Sequence, residues 1–245
     1  MQDRVSTGAP QVGTGYHVRG GGESAGVRMT DMERLRQAMV ERQIARRGIN
    51  DPRLLAAMRD VPREVFVPEA LQAHAYDDMP LPVEAGQTIS QPYIVAVMIA
   101  AAAIGPRNRV LEVGAGSGYA AAIMSRLAAE VFAIERHEEL ADLAATRMAA
   151  LSYANVTIRT GDGTEGWPEM APFDAILVAA AGPTLPLPLR DQLAIGGRLV
   201  MPIGGTSEQR LVRITRVGDT DFDRQEMEAV RFVPLIGAHG WREGE

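Results

Sequence analysis

Residues 109–119 read Arg-Val-Leu-Glu-Val-Gly-Ala-Gly-Ser-Gly-Tyr, and this stretch decides the fold. Val110-Leu111-Glu112-Val113 is a short, mostly apolar run of the kind that forms a buried strand. It ends in Gly114, Gly116 and Gly118, after which Tyr119-Ala120-Ala121-Ala122-Ile123-Met124 has the composition of a helix start. Strand, glycine-rich turn and helix in that order open an α/β sheet. The glycines permit positive φ and let backbone approach a ligand. The helix behind them presents unpaired N–H groups to a carboxylate or phosphate.

Spacing narrows the ligand. A dinucleotide fingerprint, G-x-G-x-x-G, counted from Gly114 or Gly116, requires glycine where the chain has Tyr119 or Ala121. No Gly-Lys-Ser/Thr follows, so the P-loop fails as well. What remains, E-x-G-x-G-x-G, resembles motif I of S-adenosylmethionine-dependent methyltransferases. A glycine turn that merely packs a helix on a strand is the alternative at this point.

The downstream spacing adds two carboxylates. Glu130-Val131-Phe132-Ala133-Ile134-Glu135 reads as a second buried strand ending in an acid about 20 residues past the first glycine, where a carboxylate can accept both hydroxyls of a ribose. Val156-Thr157-Ile158-Arg159-Thr160 reads as a third strand running into Gly161-Asp162-Gly163. Asp162 would suit an adenine amino group there, or would simply form an Asp-Gly turn. Glu135 beside Arg136 has its own plain reading as a solvated acid. Together the three strand ends line the edge where open α/β sheets bind ligands.

Composition sets limits. The chain has 245 residues, 46% of them hydrophobic, enough for a sizeable core. Its net charge of −6 is not the footprint of a nucleic-acid binder. There is no cysteine, hence no disulfide, thiol nucleophile or thiolate metal ligand. The softest run, 94–104, is too short to span a bilayer, and the N-terminus has no apolar signal core. The four histidines are scattered, with no metal-ligand spacing. These features lead us to expect a cytoplasmic protein.

Taken in order, residues 1–28 hold many glycines and no apolar period and are expected to be a disordered tail. Thr30-Asp31-Met32-Glu33 resembles a capping box, with a helix expected to about Arg47, stopped by Gly48. Asp51-Pro52 starts a second, short helix. Residues 61–92 are proline-rich and irregular, and so long a loop points to a function. It ends in Gly86-Gln87-Thr88-Ile89-Ser90-Gln91-Pro92-Tyr93 and leads into a helix expected over 92–104. Ser90 sits where an N-cap would be, and a capping hydroxyl and a functional one are equally compatible with that position. Phe173-Asp174-Ala175-Ile176-Leu177-Val178 reads as a fourth strand, followed by small residues 179–182. Gly196-Gly197 reads as a turn into a fifth strand, 198–202. The alternating runs 210–216 and 226–232, joined by a polar turn at 218–223, suggest an antiparallel hairpin at the sheet edge, with Leu211 partly breaking the period. The resulting division is a tail (1–28), a helical substrate-binding region (29–106), a cofactor-binding α/β core (107–205) and a C-terminal hairpin and cover (206–245).

The segment 86–93, with 110–119 and Gly161-Asp162-Gly163, resembles the protein-L-isoaspartate O-methyltransferase family. The resemblance extends from 29 to about 241 and takes in Val40-Glu41-Arg42-Gln43-Ile44, Val61-Pro62-Arg63, Phe66-Val67-Pro68, Ala75-Tyr76, Trp167-Pro168 and Val230-Arg231-Phe232-Val233-Pro234-Leu235. Thr88-Ile89-Ser90-Gln91-Pro92 is its most specific part. Two positions depart from the pattern: Tyr93 stands where some members have histidine, and Ala115 where threonine is common. The resemblance implies a Rossmann-like class I methyltransferase sheet with N-terminal helices and antiparallel C-terminal strands. It implies methyl transfer from S-adenosylmethionine, without a metal, to the free α-carboxylate of isoaspartyl residues (and D-aspartyl ones) in damaged proteins and peptides. Ser90 would then be the active-site residue, and Thr88, Ile89 and Gln91 would shape the substrate cleft. Glu112, Gly114, Gly116 and Ser117 would hold the methionine end of the cofactor, Glu135 the ribose, and Asp162 with Gly163 the adenine. A monomer binding neither nucleic acid nor membrane is expected. The competing readings are a methyltransferase for another acceptor, such as a small-molecule carboxylate or RNA, and a non-catalytic cofactor-binding module.

Overall fold

Five strands of five residues or more run parallel, and the alternation of their side chains sets the two faces of one sheet. The computed structural model describes residues 30–244 apart from Thr206, so the expected tail at 1–28 lies outside the described residues. Strands β3 (Arg109–Val113), β4 (Glu130–Glu135), β5 (Val156–Thr160), β6 (Phe173–Val178) and β7 (Leu193–Gly204) run parallel, in the order β5-β4-β3-β6-β7. Strands β8 (Gln209–Arg216) and β9 (Phe222–Val230) continue the sheet antiparallel as the expected edge hairpin. Because successive side chains point to opposite faces, Val110, Val131, Ala175, Leu177 and Val200 join one core, and Leu111, Val113, Phe132, Ile176 and Leu199 the other. The pairing of β8 with β9 shifts between Arg210 and Val212, which accounts for the broken period at Leu211.

The first core is roofed by the N-terminal helices. Helix α1 (Asp31–Met39) opens on a complete Thr30/Glu33 capping box. The helical path reaches Arg47 as expected, but through a π turn (Val40–Ile44) and a 3-10 turn (Ala45–Arg47), before Gly48 at φ +95°. The π turn sets Val40 and Ile44 both fully buried. Helix α2 (Pro52–Asp60) is capped by the Asp51 side chain on the N–H groups of Arg53 and Leu54. Helix α3 (Pro92–Ala102) is apolar on nearly every side and accordingly buried. The expected irregular segment before it contains 3-10 turns and a two-residue hairpin, β1 (Leu81–Pro82) against β2 (Thr88–Ile89), which pairs Leu81 with Ile89. The hairpin's loop places Ala85 (φ 52°) and Gly86 (φ 66°) in the left-handed region.

Two expectations about the strands are corrected. Strand β7 begins at Leu193 rather than 198, so Gly196-Gly197 lies inside the strand. At Gly197 a Cβ would come 2.8 Å from the Ala194 oxygen and 2.9 Å from the Phe173 oxygen, which makes the pair an irregularity in the β6–β7 pairing rather than a turn. Strand β9 starts at Phe222, so the connecting turn is shorter than the polar run 218–223 suggested.

Helix α4 (Tyr119–Ser125) follows the glycine loop directly and is packed under helix α5 (Glu138–Ala150) at Gly118. Gly118 has φ +92°, and a Cβ there would lie 2.9 Å from Met148 Cε and 3.3 Å from Ala144 Cβ. Gly118→Ala combines left-handed strain with this crowding. We expect it to lower stability by about 1–3 kcal/mol, read as a reduced urea midpoint at constant m. An unchanged midpoint would mean that the loop relaxes freely.

Candidate active site

The glycine loop is shaped by its neighbour strand. The N–H groups of Gly114 and Ala115 both donate to the Ile134 carbonyl, at 2.8 and 3.1 Å. The Gly116 N–H donates to Glu135 Oε2 at 2.8 Å, and the His137 N–H to Glu135 Oε1 at 3.1 Å. Gly116, at φ +53°, has nothing within 4 Å of the position a Cβ would take, so its backbone faces open space. At the next strand end, a Cβ on Gly163 would meet Val113 Cγ1 at 2.4 Å, so glycine is needed for the β5 turn to close against β3.

These features surround one cavity of about 240 Å³ at the carboxyl ends of the strands. Ser90, Thr88 and Ile89 line it from the hairpin, and Glu112, Gly114, Gly116 and Ser117 from the glycine loop. Glu135 and Gly163 line it from the two strand ends beyond. The small residues Ala179 and Ala180 face it after β6.

Two of the anticipated residues do not face the cavity. The Gln91 amide donates to Asp78 at 2.8 Å. Asp162 accepts from the Thr164 N–H and hydroxyl at 2.8 and 2.7 Å, and from the Ala238 N–H at 2.7 Å. Through that last bond Asp162 ties down the C-terminal segment, and Gly163 alone of the pair reaches the cavity wall.

The structure also decides the position of Ser90. The N-cap of α3 is Gln91, because Pro92 occupies the first helical position, where proline belongs. Among the described residues no side chain caps this helix, and the Ser90 hydroxyl does not take the capping role considered for it. Ser90 is half-buried and lines the cavity, and its carbonyl accepts from Arg63.

Several residues of the site carry little sequence signal. Tyr119, where a dinucleotide fingerprint would have glycine, is fully buried and lines the cavity. Val95 and Met98 of α3 supply an apolar wall, and Val233, Pro234, Leu235 and Ile236 close the cavity from the C-terminal side. That cover is held by reciprocal bonds, from Ala181 N–H to Val233 O and from Leu235 N–H to Ala181 O, both 2.8 Å. The Trp241 indole donates to the same Ala181 carbonyl at 2.9 Å. Only the closing 230–235 motif of the resemblance pointed there.

The electrostatics are unusual for an empty space between helices and sheet. Glu112 is 2% exposed, and among the described residues its Oε2 has no hydrogen-bond partner. Burial, reinforced by the nearby Glu135 carboxylate, pushes the Glu112 carboxyl well above its ordinary range, with only the Ala121 backbone N–H opposing. Asp162 is also raised by burial, but its Thr164 and Ala238 bonds outweigh this and hold it below the ordinary range. The cavity thus suits a ligand that brings positive charge and a hydrogen-bond donor to Glu112, with further hydroxyls for Glu135.

Sheet order, glycine loop and paired acids define an S-adenosylmethionine-dependent methyltransferase of class I, and the orphaned Glu112 oxygen fits that cofactor's cationic methionine end. Among the described residues no group of side chains could hold a metal ion. The chain belongs to the protein-L-isoaspartate(D-aspartate) O-methyltransferase family, whose model matches residues 33–240. The Rhodopseudomonas palustris protein-L-isoaspartate O-methyltransferase is 56% identical over 208 residues, 84% of this chain and 95% of that protein. A Pelobacter propionicus protein-L-isoaspartate O-methyltransferase is 52% identical over 214 residues, 87% of this chain and 95% of its own length. A solved protein-L-isoaspartate O-methyltransferase superposes with a TM-score of 0.75 at 28% identity, over 84% of this chain and 67% of that one. A Plasmodium falciparum structure described as a family member in complex with S-adenosyl-L-homocysteine superposes with a TM-score of 0.72 at 27% identity, over 82% of this chain and 98% of that one.

The buried Glu112 makes a pH test. Its unfolded pKa is near the ordinary ~4.3 and its folded pKa is higher, so between the two the folded chain holds the extra proton. Stability therefore falls as pH rises through that window. Glu112→Gln removes this penalty. We expect the cofactor-free variant to have a higher urea midpoint than wild type at about pH 8, with the two converging at about pH 4. A variant no more stable than wild type at the higher pH would show that Glu112 is ionised without cost.

Proposed function

We propose that this chain repairs aged proteins by methylating the free α-carboxylate of L-isoaspartyl residues, with D-aspartyl residues as a second acceptor. The observation that carries the proposal is the Ser90 corner, a free hydroxyl beside an uncapped helix N-terminus on the wall of the cofactor cavity. Such a corner is built to hold a carboxylate. S-adenosylmethionine supplies an electrophilic methyl group when bound.

The chain's own residues have correspondingly little acid–base chemistry to do. An acceptor carboxyl with a pKa near 4 is ionised at neutral pH and is its own nucleophile. The cavity wall contains no histidine among the described residues. His74, 2.9 Å from Asp77, is exposed on the surface. Rate enhancement then rests on alignment and on exclusion of water. Ser90 orients the acceptor carboxylate and is not a covalent nucleophile, since no base accompanies it. Thr88 and Ile89 shape the cleft. Glu112, Gly114, Gly116 and Ser117 hold the methionine end of the cofactor and Glu135 the ribose. Gly163 borders the adenine, and Asp162 holds the segment that closes over it. The methyl ester so formed cyclises to a succinimide on its own, and hydrolysis returns part of it to normal aspartate. The partners on this reading are isoaspartyl proteins and peptides, met by a monomer in the cytoplasm.

The direct test offers one peptide in two forms, isoaspartyl and aspartyl at the same position, with radiolabelled-methyl S-adenosylmethionine. Base-labile volatile label is expected on the isoaspartyl form alone. Label on neither, with cofactor binding intact, would move the proposal to another acceptor. Ser90→Ala should lower turnover by about ten- to a thousandfold while cofactor affinity stays within error. Loss of cofactor affinity in step with turnover would remove Ser90 from the acceptor site. Glu135→Ala should weaken cofactor binding by about 1.5–3 kcal/mol, measured calorimetrically. Unchanged binding would contradict its ribose assignment.

A further inference from the structure

One buried charge next to the site has no part in the chemistry so far. Arg63, from the turn after α2, is 0% exposed. Its Nε donates to the Ala75 carbonyl at 2.7 Å and its Nη2 to the Ser90 carbonyl at 2.9 Å. Among the described residues its Nη1 has no hydrogen-bond partner, and both acceptors are neutral carbonyls. Its guanidinium carbon lies 4.8 Å from the Tyr119 ring centroid, directly after the glycine loop. Burying a guanidinium against neutral groups is costly. An apolar side chain of similar size would fill the space at less cost, so the charge calls for a reason beyond packing.

The reason lies in the peptide that Arg63 holds. A trans peptide points its C=O and N–H in opposite directions. With the Ser90 carbonyl drawn inward onto Arg63, the Gln91 N–H points away from it. Gln91 is the N-cap of α3, and Pro92 has no N–H to offer. Among the described residues the Gln91 N–H has no backbone acceptor. The Ser90 hydroxyl, on the cavity wall, and the Gln91 N–H, on the side of the peptide away from Arg63, are left as free donors beside a buried cation that has no acidic partner among the described residues.

We propose that Arg63 is the positioning residue for the acceptor carboxylate, fixing the Ser90–Gln91 peptide by its carbonyl and placing an uncompensated positive charge behind it. This rests on the reading that the Ser90 corner receives the acceptor. Substrate would complete the ion pair that the fold leaves open, across one peptide unit. Arg63 itself touches neither acceptor nor cofactor.

The test is calorimetric titration of isoaspartyl peptide, and of its aspartyl counterpart, into the full chain saturated with S-adenosylhomocysteine. Arg63→Met removes both bonds and the charge, whereas Arg63→Lys keeps the charge but cannot span both carbonyls. Arg53 serves as a control, because it also bridges two carbonyls, of Ile104 and Leu127, away from the site. Arg63→Met should weaken isoaspartyl-peptide binding about tenfold or more and Arg63→Lys by less, with S-adenosylhomocysteine affinity within about twofold of wild type in both. Arg53→Met should change neither affinity. In a Ser90→Ala background the Arg63→Lys penalty should shrink, because the two residues act on one carboxylate. If Arg63→Met has lost its native circular-dichroism signal and is unfolded, Arg63→Lys carries the comparison.

Peptide affinity unchanged in a folded Arg63 variant, an undiminished penalty in the Ser90→Ala background, or an equal loss in Arg53→Met would each overturn the assignment while leaving the proposed activity intact. Wild-type protein that shows no preference for the isoaspartyl peptide would instead overturn the underlying reading, and the role of Arg63 with it.

Discussion

The Ile134 carbonyl, accepting from Gly114 and Ala115 together, is the contact on which the site depends. It fastens the start of the glycine loop to the neighbouring strand at the spacing that strand pairing imposes. The loop then has to turn left-handed at Gly114, Gly116 and Gly118 to reach α4. That path sets the Gly116 N–H on Glu135 and leaves Glu112 beneath the loop. The position of the two acids relative to the loop is thus a result of sheet geometry and does not rely on flexible side chains finding one another.

This arrangement is costly for the folded chain without a ligand. Glu112 sits on the sheet face that otherwise carries Val110, Val131, Leu177 and Val200, and its second oxygen has no donor. Arg63 is buried on the same helical side without an anion. A buried acid lacking a cation lines the cavity, and a buried cation lacking an acid lies behind the Ser90 peptide at its edge. Each is the complement of one substrate, the positively charged methyl donor and the negatively charged acceptor. Natural proteins depart from well-satisfied packing at functional sites, and here the departures are of opposite sign.

Much of this was legible in the sequence because it follows from period and punctuation. The strands from Val110 and Val131 and the glycine loop could be read from apolar runs that end in glycine or acid, the Phe173 strand from its apolar run, and the edge hairpin from its alternation. Other features depended on information that runs of residues do not carry. The cap of α3 was misplaced by one residue, although Pro92 held the signal that correctly placed Asp51 before Pro52. Gly196-Gly197 looked like a turn, since glycine pairs mark turns and strand irregularities equally well. The role of Arg63 depends on two carbonyls 12 and 27 residues away, which no run of neighbouring residues shows. The cover from Val233 to Ile236 has no apolar period, and only the 230–235 motif of the resemblance pointed to it. It is defined by its bonds to Ala181 and by the reach of Ala238 to Asp162.

The Asp162 contacts have a further consequence, for the molecule's own durability. Asp-Gly is a sequence in which the following backbone nitrogen easily attacks the side-chain carboxyl, since glycine offers no steric hindrance, and Asp162-Gly163 places such a pair beside the cavity. Ring closure needs a protonated, freely rotating carboxyl. Here the Asp162 side chain is held by three donors from Thr164 and Ala238, which also keep it ionised. The fastening that closes the far end of the chain over the site therefore also slows, at this position, the spontaneous rearrangement that generates isoaspartate.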